Sequence, residues 1–215
     1  MAIRWTIEEG IGRLMMDQPP SNTMTMQFFN EFRHWIDIVL YETGLKAIII
    51  HGNGRHFSSG ADLNELLFNL DRQIMVENYR SFTMLEQLGI PVISSIRGVC
   101  LGSAFELALF SNFRICADDA VLGLPEATFN LMPGIGGIQR TAALAGKSKA
   151  LEIILRGLTF SASDALAMGL VDAVVPKRNA LPVALNFARA LPEKMMKGHR
   201  DIYLKKFLNP LNVSE

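Results

Sequence analysis

The sequence predicts an α/β fold, and three observations carry that expectation: short β-branched runs of strand length, longer stretches with apolar residues every three or four positions, and a repeated strand–loop–helix order along the 215 residues. Residues 3–8 and 11–16 alternate apolar and polar side chains on either side of Glu9-Gly10, a pair suited to a turn, so the chain opens with a hairpin. Over 25–41, Phe28, Phe29, Phe32, Trp35, Ile36, Val39 and Leu40 recur at the spacing of one buried helix face. The run 47–50, ahead of Gly52-Asn53-Gly54, reads as a buried strand ending in a loop. A helix over 72–88, a strand over 92–96 and a small-residue helix from Ser103 repeat the order. After Pro133-Gly134-Ile135-Gly136-Gly137 the chain turns mainly helical, over 138–144, 147–156, 161–168 and 181–190, with a strand at 172–175 between them. No linker, charge block or short repeat divides the sequence, so one compact unit is expected.

Bulk properties narrow the function. Lysine plus arginine and aspartate plus glutamate each total 21, so there is no net field to gather nucleic acid or anionic lipid. The apolar runs are too short to span a bilayer, and Glu8 and Glu9 interrupt the stretch where a secretory signal would sit. Cys100 and Cys116 each lie in apolar sequence and read as buried thiols, which suits a reducing cytoplasm. His34, His51, His56 and His199 show neither HxxxH nor HExxH spacing, so no metal site is expected.

Three stretches hold residues with chemical potential. In Gly102-Ser103-Ala104-Phe105-Glu106 a helix begins, and the amides of its first turn lack internal partners and face outward, where they can hold developing negative charge. Ser103 and Glu106 share one face of that helix, yet S-x-x-E is also the capping-box pattern, so Glu106 is either a site carboxylate or a cap. In His56-Phe57-Ser58-Ser59-Gly60-Ala61-Asp62-Leu63 small residues let a ligand approach the backbone; the other reading is a helix start with Asp62 as N-cap and Glu65 three residues on. In Leu122-Gly123-Leu124-Pro125-Glu126 a carboxylate sits among apolar neighbours. If buried, Glu126 has a raised pKa and suits general acid work; otherwise it is a surface salt-bridge residue. The glycine-rich 132–137 stretch lacks both common phosphate-loop spacings.

Taken in order, Phe57 to Leu63, Gly98 to Glu106, Leu122 to Glu126 and Pro133 to Arg140 resemble the successive motifs of the crotonase (enoyl-CoA hydratase/isomerase) superfamily, and the likeness runs from about residue 3 to residue 205. The resemblance implies a crotonase-like spiral of ββα units over 1–178, followed by a helical C-terminal segment over 179–215 that is short for the family. It implies an acyl-CoA thioester as substrate, with the backbone amides of Ala61 and Ser103 holding the thioester oxygen; relatives mostly carry glycine where Ser103 stands. Glu106 and Glu126 match the two catalytic glutamates of hydratases, whereas many isomerases keep only the one matching Glu126. Asn22, Met24, Ser59, Gly60, Ala61, Asp62, Leu63, Gly102 and Gly134 match substrate- and CoA-contacting stretches.

On that resemblance the expected reaction is hydration of a 2-enoyl-CoA, with no cofactor because CoA is part of the substrate. An isomerase using Glu126 as proton shuttle, and a noncatalytic acyl-CoA or partner-binding homologue, are the alternatives. The implied assembly is a homotrimer or hexamer, with no nucleic acid or membrane partner. Leu66, Leu67, Phe68, Met84, Leu88 and Phe105 are candidates either for an acyl-tail pocket or for ordinary core packing.

Overall fold

The computed structural model describes residues 1–68, 72–192 and 200–208, with the backbone alone for 66–68. Strands β1 (Ile3–Glu8) and β2 (Ile11–Met16) pair antiparallel from Ile3 opposite Met16 to Glu8 opposite Ile11. Glu9 and Gly10 between them both take positive φ, 53° and 78°, the geometry whose twist matches a two-residue hairpin. Helix α1 (Met26–Val39) starts where the Thr25 hydroxyl accepts the Phe28 amide, and it buries Phe28, Phe29, Phe32, Trp35, Ile36 and Val39 of the predicted face, whereas Leu40 ends the helix as its C-cap and is exposed.

The remaining elements, in chain order, are β3 (Ala47–Gly52), α2 (Leu63–Phe68), α3 (Arg72–Met84), β4 (Val92–Ile96), β5 (Val99–Leu101), α4 (Ser103–Leu109), β6 (Phe113–Ala117) and β7 (Val121–Gly123). After a 3₁₀ turn at Pro125–Phe129 come α5 (Gly137–Ala145), α6 (Lys147–Arg156), β8 (Thr159–Ser161), α7 (Ala162–Ala167), β9 (Ala173–Val175), α8 (Ala180–Ala190) and α9 (Arg200–Tyr203).

Two sheets form, in the orders β1-β2-β3-β4-β6-β9 and β5-β7-β8, and the larger is parallel from β2 onward. Successive passes place one strand in each sheet: β4 then β5, and β6 then β7. Isolated bridges Ser58↔Cys100 and Met24↔Ala61 extend the smaller sheet into the earlier passes, so the chain climbs as a spiral of strand–strand–helix turns. Side-chain alternation then sorts the core. Leu14, Met16, Ile48, Ile50, Val92 and Ile96 face inward, whereas Ile11, Ala47, Ile49, Ile93, Phe113 and Ile115 face the opposite side, which Ala184, Phe187 and Ala188 of α8 cover. Burial on both faces is why 47–50 is an unbroken apolar run.

Strands β5, β6, β7 and β8 had no sequence expectation. Three are only three residues long, too short for periodicity to register, and β6 carries Arg114 in its middle. That guanidinium is 2 % exposed; it donates to the Leu170 and Ser111 carbonyls and pairs with Asp172, which Arg200 also grips. Cys100 and Cys116 are buried free thiols. Among the described residues no helix is long and apolar enough to cross a membrane.

Candidate active site

The site lies where the smaller sheet hands the chain to its helices. Strand β5 ends at Leu101, and Gly102, at φ 54°, turns the backbone into α4. A Cβ at Gly102 would stand 3.2 Å from Oε1 of Glu126, so this glycine also makes room for that carboxylate. Ser103 opens α4, and its amide is therefore one of those with no acceptor inside the helix.

Glu106 lies one turn further on, 1 % exposed. Its Oε1 accepts the amides of Ile135 and Gly137, each at 2.8 Å. The capping-box reading is thereby overturned: the N-cap is Gly102, which has no side chain to cap with, and the carboxylate reaches across to the glycine-rich loop instead. The amides of Ile135 and Gly137 in that loop serve a protein carboxylate, in keeping with the absence of a phosphate-loop spacing in 132–137. A Cβ at Gly137 would come within 2.9 Å of Oε1 and 3.0 Å of Cγ, so glycine is what lets the loop close on Glu106.

Glu126 sits in the 3₁₀ turn after β7. Its Oε2 is buried and has no hydrogen-bond partner among the described residues, so it is no surface salt-bridge residue. Burial raises both carboxyls to about 7. For Glu106 the bonds from Gly137 and Ile135 work against that rise, while the charge of Glu126 adds to it. The two glutamates thus share surroundings that disfavour a double negative charge.

The third wall is the 57–62 loop. Gly60, at φ 92°, would place a Cβ 2.5 Å from the Leu101 carbonyl oxygen and 3.5 Å from the Ser103 amide nitrogen, so the loop packs directly on the start of α4. In the bridge to Met24, the Met24 amide bonds the Gly60 carbonyl and the Asp62 amide bonds the Met24 carbonyl. That pattern leaves the Ala61 amide outside the bridge, on the side away from Met24.

Two connected spaces result. An inner cavity of about 70 Å³ holds Glu106 and is otherwise mostly apolar, with Met26, Phe29, Ile74, Met75 and Met132. An outer groove of about 460 Å³ runs past Thr23, Ser59, Gly60, Asp62, Leu63 and Gly102. Ala61, Ser103, Glu126 and Leu131 line both and so mark the junction. A substrate with a bulky polar portion in the groove and a short apolar portion in the cavity would place its reactive centre between two amides and two carboxylates.

The sequence profile of the enoyl-CoA hydratase/isomerase family matches residues 6–209. The chain belongs to that family. It is 35 % identical over 216 aligned positions to a probable enoyl-CoA hydratase of Bacillus subtilis, covering 95 % of this chain and 83 % of the relative. It is 37 % identical to the fatty acid oxidation complex subunit alpha of Shewanella loihica, but there 86 % of this chain spans only 27 % of that longer protein. An enoyl-CoA hydratase structure from Bacillus anthracis superposes with a TM-score of 0.82 at 31 % identity, over 88 % of this chain and 76 % of that one. The crotonase-type α/β spiral expected from the sequence is therefore the fold observed.

Within this crotonase scaffold the expected site residues divide. Ser59, Gly60, Ala61, Asp62, Leu63, Gly102 and Ser103 line the groove, and Gly134 lines the inner cavity. Asp62 also caps α2, its Oδ1 accepting the Asn64 and Glu65 amides, while Glu65 accepts the Met26 amide and ties α2 to α1. Asn22 and Met24 are each 1 % exposed and border neither space; Thr23 between them faces the groove. Asn22 sits in the turn before Thr23 with φ 51°, which swings its side chain inward, and it donates to the carbonyls of Asn53 and His56 behind the groove.

His56 has a packing role: its Nδ1 accepts the Val99 amide. The tail candidates Met84, Leu88 and Phe105 pack in the core away from the cavity, and the side chains of Leu66, Leu67 and Phe68 lie outside the described residues. The actual apolar lining went unread because Met26 opens α1, Ile74 and Met75 sit early in α3, and Leu131 to Ile135 belong to a loop without periodicity.

Proposed function

We propose that this chain is an enoyl-CoA hydratase, adding water across the 2,3 double bond of a 2-enoyl-CoA thioester. The observation that carries the proposal is the pair of buried glutamates, both raised to about 7, facing one cavity whose mouth carries the amides of Ala61 and Ser103. The CoA portion would occupy the outer groove and the acyl chain the inner cavity. The two amides would hold the thioester oxygen as it takes on enolate charge, a contribution worth about 100- to 1,000-fold in rate per donor.

The division of labour between the glutamates follows from their partners. Main-chain donors favour the ionised form of Glu106, which makes it the base that takes a proton from water as the oxygen bonds to the β-carbon. The π electrons move toward the thioester oxygen. Glu126, without a compensating donor on Oε2, keeps its proton and delivers it to the α-carbon as the enolate collapses. The net change is one water added and one proton passed from Glu126 to Glu106, which solvent exchange resets. The thioester itself makes the β-carbon electrophilic, so no cofactor takes part.

The same anchoring of Glu106 supports a second reading. If its bonds to Ile135 and Gly137 serve only to close the loop, Glu126 alone would shuttle a proton between two carbons as an enoyl-CoA isomerase that moves a 3,4 double bond to the conjugated 2,3 position. Supplying 2-enoyl- and 3-enoyl-CoAs, identifying products by mass and following the ultraviolet absorbance of the conjugated enoyl thioester, decides between them. Hydration adds the mass of water to a 2-enoyl substrate, whereas isomerisation of a 3-enoyl substrate leaves the mass unchanged. A homotrimer, or a hexamer built from two, is the assembly the family resemblance implies for the enzyme.

A further inference from the structure

The outer face of the larger sheet holds a second polar cavity, of about 250 Å³, that shares no residue with the site above. Arg13 on β2, His51 on β3 and Ser95 on β4 reach it from neighbouring strands, with His51 directly opposite Ser95 in register. Arg97 closes it from the end of β4, and Lys177 and Arg178 close it from the segment before α8. Lys177 is paired with Asp119 at 2.9 Å, but Arg13, Arg97 and Arg178 have no carboxylate partner among the described residues.

Two further features point at a ligand. His51 is 6 % exposed, and its Nε2 is buried with no partner among the described residues, while Nδ1 lies 3.3 Å from the Gly52 carbonyl. Beside it, Ala180 and Leu181, the first residues of the eleven-residue helix α8, line the cavity, and the N-cap Asn179 makes no side-chain capping bond with the amides of that first turn.

We propose that this cavity binds a phosphate-type oxyanion, held by the forks of Arg13 and Arg97, the His51 Nε2–H and the α8 N-terminus, at a site separate from the acyl-CoA groove. Phosphate suits the donor set because guanidinium pairs and helix amides present N–H groups from several directions to a tetrahedral group of oxygens. The Arg178 charge lies at the rim and draws the anion in. With the anion in place His51 is the imidazolium, Nδ1–H donating to the Gly52 carbonyl and Nε2–H to the anion, whose charge offsets the burial and the Arg13 and Arg97 charges that otherwise hold this histidine down at about 4.

The test uses the full chain. Inorganic phosphate is titrated by calorimetry against chloride at matched ionic strength, and adenosine 3′,5′-bisphosphate is titrated in parallel, each with wild type and with the exposed double variant Arg97→Gln/Arg178→Gln. The expected result is phosphate binding that weakens about ten-fold or more in the variant, as lost charge-assisted bonds dictate, with a phosphate-dependent shift of the His51 Nε2 signal in ¹⁵N spectra. Acyl-CoA turnover stays unchanged. Loss of affinity for both ligands in the variant assigns the cavity to a nucleotide-borne phosphate, and loss for inorganic phosphate alone assigns it to the free ion. No phosphate effect beyond that of chloride, or binding indifferent to the double variant, overturns the proposal.

Discussion

Glu106 and Glu126 meet similar apolar surroundings with different partners, and that difference sets what each does with a proton. Two amides at 2.8 Å hold Glu106 toward its ionised form, whereas Oε2 of Glu126 has none. With both carboxyls raised to about 7, kcat/KM for 2-enoyl-CoA hydration is expected to be bell-shaped with its maximum near neutral pH. Below it the base is protonated, and above it the acid has lost its proton; a pH–rate profile checks this. The same shifts act on stability with a fixed sign. A carboxyl whose folded pKa lies above its ordinary value of 4.5 keeps, in the folded state, a proton that the unfolded chain releases, so stability declines as pH rises from about 4.5 through about 7. Glu126→Gln removes that penalty: it is expected to raise stability at pH 8 by on the order of 1–3 kcal/mol and to have no such effect below about pH 4.5, as denaturant melts at the two pH values would show. Position matters as much as charge. Gly137→Ala would push a Cβ to within 2.9 Å of Oε1 of Glu106, and a displacement of this kind is expected to lower kcat about 10- to 100-fold, with circular dichroism unchanged.

Among the elements, those that pack with a long period were legible and those that build the site were mostly not. Helix α1 reads from its Phe28–Phe32–Trp35–Ile36–Val39 stripe, and α6 and β4 were placed to the residue. Strands β5, β7 and β8 have three residues each, and their pairing is a long-range property that no local pattern encodes. The position of Glu106 at a helix start was readable, but its partner was not. S-x-x-E states a local cap, and only the approach of the Pro133–Gly137 loop, 29 and 31 residues away, redirects the carboxylate. The apolar lining of the inner cavity is not legible for a related reason: its residues come from the starts of α1 and α3 and from a loop. Met75 stands out there, because its Cε would lie 2.0 Å from a Cβ at Gly134, marking the contact between α3 and that loop. Met75→Ala is expected to widen the inner cavity of about 70 Å³ and shift kcat/KM toward longer acyl chains, about ten-fold or more for each methylene newly accommodated. A series of 2-enoyl-CoAs of increasing length reads this out.

At the scale of the whole molecule, the spiral solves one packing problem and thereby creates the site. Two sheets that share successive passes of the chain bury the inner face of the larger sheet against the helices, and α8 buries its outer face. Buried Arg114 and Asp172, with half-buried Arg200 on Asp172, tie α9 to β6 and to the segment entering β9. What is left is the seam where the smaller sheet ends, and there the Ala61 loop, the start of α4 and the Glu126 turn converge on one junction. A balanced charge of 21 acidic and 21 basic residues leaves recognition to this cavity rather than to a long-range field. The proposal that these parts add water to an enoyl thioester is tested most directly by incubating the chain with a short 2-enoyl-CoA in ¹⁸O-labelled water and analysing the product by mass. The account predicts a 3-hydroxyacyl-CoA carrying one ¹⁸O, formed about 100- to 10,000-fold more slowly by folded Glu106→Gln and Glu126→Gln variants. Unchanged substrate with wild type, or equal label incorporation by wild type and both variants, would contradict it.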